Sequence, residues 1–194
     1  MLRPQITSPA PEYQAFPDVP RRNLLQEALE VPALVYCLRL PARARLLEIG
    51  CGAGVALPPL AALMQPTRLV GIDIDADRLR MASERVQRTR TAAELYRADV
   101  RALPFPSGSF DVVLDFGTCY HISDPARALR EIVRVLRPDG LFVSETVSSQ
   151  LLSHPLRTRG QRLPWAAVPE LCLERQALLW KSGRKAVGLL PLVH

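Results

Sequence analysis

Residues 46–55, LLEIGCGAGV, constrain this chain more than any other stretch. A short apolar run carrying one acid, Glu48, enters three glycines, Gly50, Gly52 and Gly54, separated by Cys51 and Ala53. Glycine loses more conformational freedom on ordering than any other residue, so this density weakens a strand or a helix. The pattern fits a buried strand that leaves its sheet through a turn where something must approach bare backbone. From Arg45 onward short apolar runs alternate with amphipathic stretches. LVGIDI (69–74), AELYRADV (93–100), FDVVLDFG (110–117) and GLFVSET (140–146) read as further strands. ALPPLAALM (56–64), DADRLRMASERVQ (75–87) and DPARALREIVRVL (124–136) read as helices. The last places Ala128, Ile132, Val135 and Leu136 on one face. Such alternation implies right-handed crossovers and an α/β fold with a doubly wound, mostly parallel sheet.

The two ends differ from this core. Residues 1–20 hold five prolines and read as an extended arm. Residues 21–40 carry apolar side chains at helical spacing, from Leu24 and Leu25 to Cys37 and Leu38, with Pro32 expected to kink or split the helix. Residues 171–193 read as two strands around the turn Lys181-Ser182-Gly183-Arg184. This antiparallel C-terminal hairpin completes a seven-stranded sheet. Residues 147–170 form an irregular connector with room for one short helix. The chain divides into residues 1–40, an arm and helix placed to cap a site, and a ligand-binding domain over 41–194.

With 194 residues the chain has length for one domain with a full core. Its net charge of +6 rests on arginine: of 25 cationic residues only Lys181 and Lys185 are lysines, leaving 23 arginines. Arg78, Arg80, Arg85, Arg88 and Arg90 lie along one predicted helix without the interleaved aromatics of a nucleic-acid platform, so the reading is a solvated, arginine-biased surface. Cys37, Cys51, Cys119 and Cys172 are far apart with no Cys-x-x-Cys, which indicates neither zinc nor a disulfide framework and fits a reducing cytoplasm. The N-terminus lacks an apolar core of signal-peptide length. The most apolar long stretch, 46–64, is broken by Glu48, three glycines and Pro58-Pro59, and is not a membrane span.

In an open parallel sheet, ligands bind beyond the carboxyl ends of the strands, where strand order reverses. The glycine loop sits at such an end, and the N-terminus of the following helix would add donors for an anionic group. Glu48 can orient the turn or accept from a cationic ligand. Asp73, nineteen residues after Gly54 at the end of the second strand, can accept two ribose hydroxyls. Asp99 closes the third strand, placed to meet an exocyclic amine. His121, beside Tyr120 in the loop after the fourth strand, is the candidate general base. His154 and His194 have no supporting context, and Cys119 reads as a small loop residue.

These residues also carry a likeness to a known family. LLEIGCGAG (46–54), VGIDID (70–75), ADVRALPFPSGSFDVVLDF (98–116), CYHISDPARALREIVRVLRPDG (119–140) and LFVSET (141–146) resemble the class I S-adenosylmethionine-dependent methyltransferases. The likeness covers roughly residues 40–146 and is specific for fold and cofactor, not for substrate. It implies that Gly50, Cys51, Gly52 and Gly54 line the methionine part of S-adenosyl-L-methionine, with Glu48 holding the loop or the amino group. It also implies Asp73 on the ribose, Ile74 on adenine, Asp99 on the adenine amine and the Val100 backbone at the ring edge. Asp115 and Phe116 would face the methionine and the incoming nucleophile, and Arg137-Pro138-Asp139-Gly140 would be a structural turn.

The implied reaction is in-line displacement, in which an O, N or C nucleophile of a small molecule takes the methyl group and S-adenosyl-L-homocysteine leaves. Two departures stand out. Pro58-Pro59 sits where the family has ordinary helix formers, so distortion of that helix is expected, and the connector after the fifth strand is short. The loop after the fourth strand lacks the Asn/Asp-Pro-Pro-aromatic run of enzymes that act on nucleic-acid bases, so no nucleic-acid partner is expected. Ser144-Glu145-Thr146 is a poor match to the Asp-Asn pair of metal-dependent members, so no metal is expected. A nicotinamide oxidoreductase would place glycine where Val55 stands. A non-catalytic cofactor- or partner-binding protein of the same fold, and an RNA or protein methyltransferase, are the alternatives.

Overall fold

The computed structural model describes residues 19–119, 121–145 and 185–189. Each apolar run becomes a strand: β1 (Arg45–Ile49), β2 (Arg68–Asp73), β3 (Glu94–Arg97), β4 (Phe110–Asp115) and β5 (Leu136–Glu145). A sixth, β6 (Lys185–Leu189), follows. The described strands lie in the order β3-β2-β1-β4-β5-β6, and every pairing is parallel. Successive residues of a strand face opposite sides, and the apolar ones divide accordingly into two cores. Leu46, Leu69, Val112 and Leu114 pack with the helices α2 (Val31–Cys37), α3 (Leu57–Met64) and α4 (Ala76–Arg88). Leu47, Ile49, Val70, Ile72 and Val113 pack with Ala128, Leu129, Ile132 and Val135 of α5 (Pro125–Val135). Among the described residues no helix is long and apolar enough to cross a membrane.

From β1 the chain winds outward through β2 and β3, then returns along residues 98–109 to add β4 on the other edge of β1. Strand order therefore reverses between β1 and β4, and their carboxyl ends splay two loops apart. The returning segment is clamped to α5. Arg134 donates to the carbonyls of Phe105 at 2.6 Å and Leu103 at 2.9 Å, while Glu131 accepts from Leu103 N at 2.8 Å.

Three expectations take a specific form in the structure. The strand that borders β5 pairs with it in parallel, not as the antiparallel edge expected of the hairpin. The hairpin's turn and first arm, like the connector 147–170 and the arm 1–18, lie outside the described residues. The described part of its second arm, β6, pairs with β5 in parallel, with Leu141 opposite Lys185. A parallel neighbour needs a long crossover, which residues 146–184 are long enough to supply. The kink or split expected at Pro32 takes the form of an interruption of the α-helix just before it. Between α1 (Val19–Leu25) and α2 the chain stays right-handed through a π-helical turn, Gln26–Glu30, with Val31 N donating to Gln26 O. Widening the turn moves the carbonyls of the preceding residues away from a proline ring that would strike them. Pro58 and Pro59 fall in the first turn of α3, where amide hydrogens have no helical acceptor, and the helix runs on to Met64.

At the amino ends of the central strands Asp111 ties β1, β4 and β5 together. Its Oδ2 accepts from the backbone N of Arg45 at 2.7 Å, and its Oδ1 pairs with the guanidinium groups of Arg45 at 2.9 Å and Arg137 at 2.6 Å. Arg137 belongs to the expected Arg-Pro-Asp-Gly turn, which is a bulge within β5, where the register with β4 shifts. Asp111→Ala is expected to lower stability by about 2–3 kcal/mol through lost charge-assisted hydrogen bonds. A urea unfolding midpoint that falls at unchanged slope is the check.

Candidate functional site

The three loop glycines all adopt positive φ: +63° at Gly50, +52° at Gly52 and +69° at Gly54. Two of them are also fixed by crowding. A Cβ on Gly50 would land on Thr118 Oγ1, and one on Gly54 would lie 3.0 Å from the Ala82 Cβ of α4. At Gly52 the space is open, with only Arg78 Nη1 near, at 3.7 Å. The loop thus closes tightly at both ends and leaves bare backbone between.

Its shape is held from β2. Cys51 N donates to Ile72 O at 2.8 Å, and Gly52 N donates to Asp73 Oδ2 at 2.8 Å. Asp73 Oδ1 accepts from Asp75 N at 2.9 Å. A carboxylate offers about four acceptor positions, so Asp73 holds two loops and retains capacity for hydroxyl donors. Cys51 differs from expectation. Its thiol is packed beneath the loop against Gly71, and burial, with Glu48 and Asp73 nearby, pushes its ionisation far above the ordinary range. It supports the loop and does not face it.

Glu48, on β1 beneath the loop, is 2% exposed, and its Oε2 has no hydrogen-bond donor. Burial, followed by the neighbouring Asp73, raises its pKa to about 8. A carboxyl group left this way is an acceptor awaiting a donor, and desolvation is the cost of leaving it unmet.

On the adenine side of the expected site, Ile74 is half-buried and its carbonyl accepts from Arg97 Nε at 3.1 Å. Val100 is buried in the core. Asp99 is half-buried and clasped by Arg101, through the backbone N at 2.8 Å, Nε at 3.0 Å and Nη2 at 2.8 Å. Despite partial burial, these bonds hold its carboxyl below the ordinary range.

Across the cleft, Asp115 ends β4 but turns its carboxylate into its own loop. Oδ1 accepts from Gly117 N at 3.0 Å and Thr118 N at 2.6 Å, and Oδ2 from Ser144 Oγ at 3.2 Å. The sequence reading aimed this group at the methionine; the structure makes it the bracket of the loop, at 1% exposure. Phe116 is half-buried against the core that contains α2 and α3. His121 is half-buried, and burial lowers its pKa against the opposing pull of Asp115. Tyr120, its expected neighbour, lies outside the described residues.

Three residues that position the site escaped the sequence reading. Thr118 donates from Oγ1 to Ile49 O at 3.1 Å and so joins the two loops. Arg101 is readable in retrospect from the Asp-x-Arg spacing. Arg85, assigned to a solvated face, is largely buried instead. It donates to Ala53 O of the glycine loop at 3.0 Å and pairs with Glu27 of the π-helical turn at 3.3 Å.

Comparison with known proteins adds to this geometry. Residues 47–144, just over half of the chain, match a family described as "Methyltransferase domain". An uncharacterized methyltransferase of Bacillus subtilis, YcgJ, is 32% identical over 122 residues, covering 62% of this chain and 47% of that protein. A fatty-acid O-methyltransferase of Mycolicibacterium smegmatis is 33% identical over 99 residues, covering 51% of this chain and 35% of that protein. The chain therefore spans less than half the length of these relatives. A crystal structure described as a SAM-dependent methyltransferase from Aquifex aeolicus superposes with a TM-score of 0.62 over 82% of each chain, at 21% identity, a likeness of fold.

Glu48 gives a test that needs no ligand. Folded, it keeps its proton up to about pH 8; unfolded, it ionises near its ordinary 4.5. Between those values the folded state binds more protons, so stability present below about pH 4.5 is lost as pH rises toward about 8. The loss runs at most about 1.4 kcal/mol per pH unit. Glu48→Gln is expected to remove this component, so that the variant gains on the wild type as pH rises from 5 to 8 in urea unfolding.

Proposed function

The chain belongs to the methyltransferase-domain family, and from that premise we propose that it transfers a methyl group from S-adenosyl-L-methionine to an O, N or C nucleophile of a small molecule. The observation that carries the reading is Glu48, a buried carboxyl group with an orphan oxygen beneath a loop of bare backbone. A ligand bearing an ammonium group and a sulfonium is the kind of donor and charge such a site lacks. The open space at Gly52 and the remaining acceptor capacity of Asp73 fit the same ligand. When bound, S-adenosylmethionine supplies a methyl group already activated by positive sulfur.

This chain's own residues would then do the following. Gly50, Gly52 and Gly54 let the backbone approach the methionine portion, and Glu48 takes its amino group. Asp73 accepts the ribose hydroxyls while keeping the loop closed. Ile74 packs on the base, Asp99 accepts its amine and the Val100 backbone meets the ring edge. Phe116 faces the transferred group and helps exclude water, while Asp115 fixes the loop that carries His121. Burial keeps His121 neutral at pH 7, so it can take the proton of a hydroxyl or amine nucleophile. Alignment and exclusion of water supply most of the acceleration. The small-molecule acceptor draws support from the fatty-acid O-methyltransferase among the relatives. A capping role for residues 1–40 draws support from Val31 and Leu34 in the core and from Glu27 reaching the glycine loop through Arg85.

Thermal unfolding with S-adenosyl-L-homocysteine tests the cofactor site. At a hundred times its dissociation constant the ligand adds about 2.7 kcal/mol, worth roughly 2–4 °C per kcal/mol in a chain of this size. The same concentration of NAD is expected to give no shift. A shift with NAD alone, or with neither, would overturn the reading. Asp73→Asn is expected to weaken S-adenosylhomocysteine binding about tenfold or more, since hydrogen bonds to a charged group contribute about 1.5–3 kcal/mol. His121→Ala is expected to slow turnover about 100-fold or more at unchanged cofactor affinity, read as S-adenosylhomocysteine release across a panel of small acceptors.

A further inference from the structure

Arg101 touches both sides of the cleft. Its backbone N, Nε and Nη2 donate to Asp99, and its Nη1 donates to Ser123 at the far end of the loop after β4, to Oγ at 2.7 Å and to the carbonyl at 3.2 Å. Arg101 in turn is held from α5, where Arg127 Nε donates to its carbonyl at 3.0 Å. The Arg101 side chain is 19% exposed; its bonds to Asp99 are partly buried, and those to Ser123 lie at the surface. Arg101 therefore lies between the carboxylate that closes the third strand's loop and the segment 121–124 that carries His121.

Counting acceptor positions sharpens the point. The Asp99 carboxylate offers about four. Arg101 N and Nε fall on Oδ1, and Nη2 falls on Oδ2, with Nε shared to Oδ2 at 3.1 Å. These four contacts meet about four positions, and a further donor on Oδ2 displaces only the longest of them, the 3.1 Å limb of the shared Nε bond. Asp99 can accept an exocyclic amine without releasing Arg101. The amine, the carboxylate and the guanidinium would then form one planar, charge-assisted unit that loses freedom together. The opposite end of the same loop is already anchored, since Thr118 Oγ1 donates to Ile49 O at the base of the glycine loop. With the second anchor at Ser123, the segment bearing His121 is suspended between the methionine end and the adenine end of one ligand.

We propose that Arg101 is a positioning residue that converts occupation of Asp99 into ordering of residues 121–124, so that the acceptor side of the cleft is set only when the cofactor's base is seated. This rests on the methyl-donor reading of the site. It assigns to an arginine outside the glycine loop the coupling between donor binding and acceptor placement. By linkage, the ordering that the ligand imposes on the segment returns as ligand affinity.

Hydrogen exchange of the full chain, with and without S-adenosylhomocysteine, tests it on the peptide that covers 121–124. In the wild type the ligand is expected to slow exchange there about tenfold. In Arg101→Gln it is expected to slow exchange less than twofold, with affinity weakened by a similar factor to the lost protection. Ser123→Ala leaves Asp99 and Arg101 in place and removes one of the two acceptors; an intermediate protection is expected, restored by Ser123→Thr. An arginine that merely braced the fold would change exchange equally in the free and bound protein, leaving the ligand-dependent difference intact. That outcome overturns the proposal, as does a wild type that binds S-adenosylhomocysteine without protecting the segment. A flat binding isotherm for the wild type overturns the methyl-donor reading instead, and the coupling with it.

Discussion

The hydrogen bond from Gly52 N to the Asp73 carboxylate, 2.8 Å long, is the contact on which the arrangement of the cleft depends. It joins the loop after β1 to the loop after β2, beside the point between β1 and β4 where strand order reverses. It fixes the open middle of the glycine turn, whose two ends are set by close packing and by Cys51 N on Ile72 O. The same carboxylate also fixes the start of α4 through Asp75 N. One side chain thereby sets the direction of two chain segments and still presents oxygen to the cleft. The loop after β4 is organised by the same logic, with Asp115 gathering consecutive amides and Thr118 reaching across to Ile49.

Most of the fold was legible because parallel strands buried on both faces leave an unmistakable pattern. The runs around Leu46, Val70, Val112 and Phe142 could hardly be anything but strands, and Ala128, Ile132 and Val135 mark one helical face. What escaped the reading depended on partners distant in sequence. The edge pairing of β6 is one case. A hairpin and a crossover strand share the same alternation, and only the neighbour to which the strand bonds distinguishes them. The π-helical turn before Pro32 is another, since a proline announces a conflict without saying how the backbone resolves it. Glu48, Asp73 and Asp99 lie at or just past the strand ends that the pattern assigned them, whereas the Asp115 carboxylate and the Cys51 thiol turn inward. Residue type and strand end fix position; which way a short side chain points is decided by the amides that happen to surround it.

The abundance of arginine takes on a different meaning in three dimensions. Arg85, Arg101 and Arg134 each bracket an acid and a backbone group that lie on different elements. A planar guanidinium with five donors can satisfy a carboxylate and a carbonyl together, which an ammonium cannot do in fixed geometry. A composition that looked like surface charge is in these cases an internal scaffold for loops with few apolar side chains.

The two prolines at the start of α3 carry a consequence for ligand discrimination. A helix that follows a glycine turn ordinarily offers a fan of amide hydrogens to whatever sits before it, and this fan is what cradles a diphosphate. Pro58 and Pro59 delete two of those hydrogens in the first turn of α3, and Leu60 N is already committed to Ala56 O. The cradle is therefore poor in donors, and a doubly charged phosphate bridge would be left underserved there. The sheet and turn are shared with dinucleotide-binding folds, but this mouth offers a phosphate bridge few free amide hydrogens.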